Sequence, residues 1–195
     1  MIKFIKPAVK VISGTPQFRI TETLDGDAPT YCFYSQSDLE ADLRNLPSAQ
    51  HTRKTIKTFD KVITISAGEV VFSLLSGDAS IVRIERSGYL LTQNYAKLIP
   101  LRNVDAHYLV YVLNEDRSVR RQLRMGRQGS ATVKYTLAQL NSLNLPPFPS
   151  REKQGLIGRL YFNQLELEAR KERASRLETA IVLETIRKAN QPWTS

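Results

Sequence analysis

One cysteine, Cys32, and two histidines, His51 and His107, are the only thiol and imidazole groups in the 195-residue sequence. A lone thiol closes no internal disulfide, and two imidazoles with one thiol give no spacing for a tetrahedral zinc site. Also missing are a Walker loop, a Gly-x-Ser-x-Gly elbow, a His-Glu-x-x-His pair and a Gly-x-Gly-x-x-Gly turn. That sets aside the hydrolases, nucleotide enzymes and metalloproteases these motifs announce, and no cofactor is expected. No apolar run reaches membrane-spanning length, and the opening MIKFIKPAVKVISG carries a basic residue every few positions, unlike a secretion signal. The expected compartment is the cytoplasm. Acidic residues are also scarce: 19 Asp and Glu stand against 28 Lys and Arg, for a net charge of +9. That balance favours a polyanionic partner, either nucleic acid or an acidic membrane surface.

What is present reads as an α+β chain: a β-rich globular part with short helices, then one long C-terminal helix of coiled-coil type. Phe4 to Ile20 reads as two short strands about a turn at Ser13-Gly14 and Pro16. Residues 21–30 form a loop, and Tyr31, Phe33 and Tyr34 an aromatic strand. Asp38 to Leu46 has helical spacing, with Leu39, Leu43 and Leu46 on one side, until Pro47 stops it. Residues 48–61 are polar and read as an exposed connection. Val62 to Leu75 and Ser80 to Arg86 are β-branched stretches joined by a hairpin turn at Ser76-Gly77-Asp78, and Tyr89 to Pro100 continues as strand. Val104 to Leu123 turns helical, interrupted near Asn114-Glu115-Asp116. A second short helical pattern surrounds Leu137, Leu140 and Leu143, and the prolines of Leu145-Pro146-Pro147-Phe148-Pro149 make a rigid hinge.

The last element is the most regular. Ser150 is a good N-cap, Glu152 sits where the helix dipole favours a negative charge, and no proline follows until Pro192. A helix over 151–189 would extend ~58 Å, beyond what its own globule needs. Leu160, Leu167, Ala174 and Ile181 recur every seven residues, with Leu156 and Leu177 on the adjacent row and Asn163 and Arg170 diluting the stripe. The stripe fits either a partner helix or the chain's own domain. The organisation expected is a domain over 1–149, the helix over 150–190 and a tail over 191–195.

Three groups of side chains are candidates for chemistry. Asp60, Glu69 and Asp78 would have to converge from the sheet to bind the metal of a nuclease, but Glu69 and Asp78 also read simply as turn residues. His107 and Cys32 read as partly buried packing residues. Arg117, Arg120, Arg121 and Arg124 share a helical face, which either grips phosphates or is a solvated face paired with Glu115 and Asp116. Loop residues suited to phosphates or base edges are Gln50, Arg53, Lys54, Lys57, Arg127, Gln128, Ser130, Thr132 and Lys134.

The order of these segments resembles the specificity subunits of type I restriction-modification systems. Similar to that family are Ser66-Ala67-Gly68-Glu69-Val70-Val71-Phe72-Ser73, then Leu91-Thr92-Gln93-Asn94-Tyr95-Ala96, then Tyr108-Leu109-Val110-Tyr111-Val112-Leu113. Gly129-Ser130-Ala131-Thr132 follows, and the boundary Leu145-Pro146-Pro147-Phe148-Pro149 leads into Glu152, Gln154, Ile157 and Leu160. The family's adjacent Glu-Gln is split here by Lys153, and Gly155 and Gly158 fall in the first helical turns. A full family member carries two recognition domains and two helices, so this chain looks like a half-subunit. The resemblance implies a non-catalytic DNA-recognition role, with double-stranded DNA, modification (methyltransferase) subunits and restriction subunits as partners. It also implies a homodimer whose 151–189 helices pair antiparallel through Leu156, Leu160, Leu167, Ala174, Leu177 and Ile181 and which reads a split inverted repeat. Two alternatives stay open: an adaptor that pairs with a full specificity subunit, and a small metal-dependent nuclease.

Overall fold

The structure, a computed structural model, describes residues 3–4, 8–47, 53–125 and 134–190. At its centre is a four-stranded antiparallel sheet in the order β2 (Val9–Ser13), β7 (Tyr95–Pro100), β5 (Val70–Ser73), β6 (Ala79–Ile81). All four residues of β5 are buried, and they alternate between two cores. Val70 and Phe72 join a large core with Leu98, Leu109 and Leu113, while Val71 joins a smaller one with Tyr34, Leu39, Ile65, Leu91 and Tyr95. The period of two along a strand thus explains why this segment is apolar throughout: both faces of the sheet are covered. At the β5–β6 hairpin Gly77 has φ +79, and the Tyr135 ring lies 2.4 Å from where a Cβ would stand.

Two small sheets flank the centre: β3 (Thr30–Cys32) with β4 (Thr55–Lys57), and β1 (Lys3–Phe4) with β8 (Asn144–Leu145). Helix α1 (Gln36–Leu43) starts from a capping box in which Ser35 and Asp38 satisfy each other's backbone N–H groups. Helices α2 (Ala106–Glu115) and α3 (Arg117–Met125) are separated where Asp116 takes extended backbone and its carboxylate accepts the N–H groups of Ser118 and Val119. The break expected near residues 114–116 is therefore an N-cap. Buried Asn114 accepts from the Ala79 N–H at 2.8 Å and donates to its carbonyl at 3.0 Å, so a side chain closes the free edge of β6. Helix α4 (Leu137–Asn141) has its own capping box, Thr136 with Gln139.

Several sequence expectations are corrected. Gln17–Arg19 is a 3-10 turn, not a second strand. Strand β4 lies inside the stretch read as an exposed connection; it is three residues long and is fixed by a distant partner, Tyr31 opposite Ile56, which no local pattern announces. In the 62–75 stretch regular strand is confined to Val70–Ser73, because residues 63–65 instead hydrogen-bond the 89–91 segment and Gly68 turns at φ +83. Ile84–Arg86 is a 3-10 turn, and α1 stops before Leu46, with Asn45 at φ 53. The proline segment is anchored at both ends, by buried Leu145 in β8 and by Phe148 edge-on against Tyr108, so it is a seat more than a hinge.

Helix α5 runs over Arg151–Ala189, with Ser150 accepting from the Lys153 N–H. Gln154, 2% exposed, accepts from the Asp105 N–H at 2.9 Å and donates to the carbonyls of Asn103 and Pro149. One turn later Gly158 lets α5 touch α2: a Cβ there would lie 2.5 Å from the His107 Cβ and 2.7 Å from the Tyr108 nitrogen. Tyr161 donates to Glu115, and Arg44 at the end of α1 grips Glu172 with two bonds of 2.9 and 3.0 Å. The Arg44 pairing holds the Glu172 carboxyl below its ordinary range.

Burial raises the Tyr95 hydroxyl from 10.0 to about 12 and also lifts Tyr34, Tyr108 and Tyr161. The unfolded chain therefore releases these protons first. The stability they contribute is complete below 10.0 and is lost as pH climbs towards about 12. We expect the urea midpoint to fall across that window; a midpoint that stays level between pH 10.0 and about 12 is the contrary result.

Candidate nucleic-acid interface

Two basic ledges stand on different elements. The first is built on β4 and the residue pair before it. The Phe33 N–H donates to the Lys54 carbonyl, and the Lys54 ammonium lies 5.2 Å from the Phe33 ring centre. Arg53 lies 5.4 Å from the centre of the Tyr89 ring and donates to its hydroxyl. Both side chains are exposed, so cation–π contact orients them without removing them from water. Lys57 pairs opposite Thr30 and is half-buried, and its carbonyl accepts from Thr23.

The second ledge is α3. Val119 and Leu123 are buried in the large core, and the opposite side presents Arg117, Ser118, Arg121 and Arg124 around one shallow depression. Among the described residues no carboxylate pairs with these three arginines. Arg120 does not belong with them: it donates to the Gly77 carbonyl at 2.7 Å and meets Asp78 at 3.1 Å. A helical wheel puts residue 120 on the flank beside Val119 and Leu123, which is why it turns inward to the hairpin. The acidic partners expected for this face are engaged elsewhere, Asp116 as a cap and Glu115 with Tyr161. Lys134 donates to the Asn94 side chain at 3.1 Å. Gln50, Arg127, Gln128, Ser130 and Thr132 lie outside the described residues.

On α5 the face against the domain is made by Gln154, Ile157, Gly158, Tyr161, Phe162 and Ala169. The heptad stripe lies off that face and is exposed: Leu156 51%, Leu160 59%, Leu167 45%, Leu177 54% and Ile181 66%, with Ala174 exposed too. Val182, Leu183 and Ile186 add apolar surface near the far end. Of the two uses open to the stripe, packing on its own domain is therefore not the one the fold makes.

The carboxylates considered for a nuclease are separately engaged. Asp60 accepts from the Thr21 N–H, Glu69 pairs with Lys97 at 2.8 Å and accepts from the Ser66 N–H, and Asp78 pairs with Arg120. His107 stacks edge-on to Phe162, and Cys32 packs beside the smaller core. Sequence reasoning missed one charged cluster altogether. Arg86, 1% exposed, bonds Asp38 at 3.0 Å and Asp42 at 2.6 Å, and the Tyr34 hydroxyl donates to Asp42 at 2.8 Å. The only signal was the i, i+4 spacing of the two aspartates on α1, on the same side as buried Leu39.

No protein-family model and no curated protein matches the sequence. Solved structures do. The HsdS subunit from Thermoanaerobacter tengcongensis superposes with a TM-score of 0.60 at 16% identity, over 97% of this chain and 43% of that one. A chain from a structure addressing complex assembly and conformational transition of the type I R-M system gives 0.60 at 17%, over 97% and 44%. The type I restriction-modification S subunit from M. genitalium gives 0.50 at 14%, over 94% and 42%. This chain has their fold, including both the globular part and the long helix, and spans less than half of their length.

Proposed function

We propose, on the premise of that shared fold, that this chain is a sequence-specific DNA-recognition half-subunit of a type I restriction-modification system. The observation that carries this reading is the superposition over 97% of the chain, domain and helix together. The exposed arginine face of α3 supports it, because guanidinium groups on one side of a helix, paired with no carboxylate among the described residues, suit phosphate contact. In this reading residues 1–149 form the recognition domain, residues 150–190 the dimerisation helix, and 191–195 a tail. Arg53, Lys54, Lys57, Arg117, Arg121, Arg124 and Lys134 fix the register on phosphates. Gln50, Arg127, Gln128, Ser130 and Thr132 read base edges.

Two copies joined through α5 would hold two such domains apart and read a split inverted repeat in the cytoplasm. Methylation and cleavage are supplied by modification and restriction subunits, for which the apolar surface at Val182, Leu183 and Ile186 offers a docking place. The test is duplex binding followed by fluorescence anisotropy across a salt series, alone and with a modification subunit. Arg117→Ala/Arg121→Ala/Arg124→Ala should weaken binding and reduce the slope of log affinity against log salt by about 2–3. Salt-independent binding, or none under either condition, sinks the reading.

A further inference from the structure

Resting on the reading above that this chain grips a DNA duplex, we propose that Phe18 and Phe59 form an aromatic tip that contacts the bases of that duplex. Both rings stand in solvent, Phe18 78% exposed and Phe59 63%. A single exposed apolar side chain asks for no explanation, but two phenylalanines on neighbouring segments make a surface that water covers poorly.

Three bonds lay the two segments side by side in opposite directions. The Ile63 N–H donates to the Thr15 hydroxyl at 2.8 Å, the Thr21 N–H to the Asp60 carboxylate at 2.6 Å and the Thr23 N–H to the Lys57 carbonyl at 3.0 Å. Phe18 lies between the first two crossings and Phe59 between the last two. Neither backbone is loose. Phe18 is the middle residue of the Gln17–Arg19 turn, which Pro16 opens at φ −61 and the N–H groups of Arg19 and Ile20 close. Phe59 follows Thr58, which is 1% exposed, donates its N–H to the Pro29 carbonyl and accepts the Asp60 N–H at its hydroxyl. A ring carried on pinned backbone has little freedom left to lose on binding.

The charge around the rings selects the partner. The Arg19 guanidinium lies 5.5 Å from the Phe18 ring centre, and Lys61 is exposed two residues beyond Phe59. Among the described residues no carboxylate pairs with either cation. Asp60, the acid between them, is turned to the Thr21 N–H. The strand that delivers Phe59 is β4, so the tip continues the ledge of Arg53, Lys54 and Lys57. Cations on either side of apolar rings suit a DNA groove: the cations hold phosphates while the rings meet thymine methyls or base faces. An apolar dock for another protein would take in Leu24, 98% exposed. Its loop also exposes Glu22, Asp25 and Asp27, which phosphates repel, so the DNA contact ends before it.

Fluorescence anisotropy with a random-sequence duplex pool tests this, with the chain alone or with a modification subunit and with circular dichroism to check folding. Phe18→Ala/Phe59→Ala should weaken binding about tenfold and leave the slope of log affinity against log salt unchanged, because no phosphate contact is lost. Leu24→Ala should bind as the wild type does. Irradiating the wild-type complex with an iodouracil-substituted pool should give adducts at Phe18 or Phe59. Wild-type affinity in the double variant, an equal loss in Leu24→Ala, or adducts confined to other segments overturns the tip and leaves the DNA-recognition reading standing. So does a double variant that loses the modification subunit while duplex affinity is intact, which makes the surface a protein dock. A wild-type chain that binds no duplex, alone or with the subunit, overturns both.

Discussion

Arg86→Met is expected to unfold at a free energy about 3–5 kcal/mol below that of the wild type, measured by urea titration. The guanidinium is 1% exposed and joins two carboxylates, one of which, Asp42, has no exposed side-chain surface. Burial works against the charge on Arg86, yet Asp42 and Asp38 together hold its pKa above the ordinary value. Burial likewise raises Asp42, opposed by the Tyr34 hydroxyl and by Arg86. Removing Arg86 leaves a buried carboxylate with the Tyr34 hydroxyl and the Arg83 N–H as its hydrogen-bond donors. The Asp42 carboxyl in the variant then titrates still further above its unfolded value of 3.8. A raised acid favours the folded state below the unfolded value and loses that contribution as pH rises, so the deficit should be largest at neutral pH and shrink under acid. Arg86→Met/Asp42→Asn should recover part of the loss. A deficit under about 1 kcal/mol, unchanged with pH, would show that the cluster contributes little.

The second large effect is expected at Gly158. Gly158→Val should destabilise by about 1–3 kcal/mol or more, because the atoms that the new side chain meets are the His107 Cβ and the α2 backbone and not a flexible tip. Relief requires α5 to lift away from α2, which also strains the three hydrogen bonds of Gln154 one turn earlier. Gly155→Ala is the control: the nearest atom to its Cβ is the end of the Arg159 side chain at 3.4 Å, and alanine is the better helix former. It should be neutral or stabilising. Comparing amide exchange in 154–172 between the two variants separates helix lifting from a general loss of stability; equal protection in both is the contrary result.

The long helix was legible because its signals are local: a serine cap, no proline across 151–189 and a seven-residue stripe. What the stripe does was not legible, since the contact α5 makes with its own domain uses Gln154, Gly158 and Ala169, residues that no hydrophobic pattern selects. The same holds elsewhere. The β5–β6 hairpin announces itself through Ser76-Gly77-Asp78, whereas β4 exists only because β3 lies beside it. Asp38 and Asp42 are joined by a residue far along the chain, Arg86, which no local pattern links to them. For the interface, the sequence supplied the arginine cluster but not its division. Only the packing of Val119 and Leu123 shows that Arg120 belongs to the hairpin while Arg117, Arg121 and Arg124 meet no carboxylate among the described residues.

The three anchorages of α5, at Gln154, Gly158 and Glu172, make domain and helix one rigid lever. In the proposed dimer the angle between the two reading faces is then set during folding. DNA rises ~3.4 Å and turns roughly a tenth of a revolution with each base pair, so a gap longer by one pair asks each lever to swing as well as to slide. In the proposed dimer that swing would be resisted by a glutamine, a glycine and an ion pair. In that proposed dimer the length of an unread gap would be measured by the stiffness of an internal joint, and variants that loosen the joint should tolerate gaps that the wild type rejects.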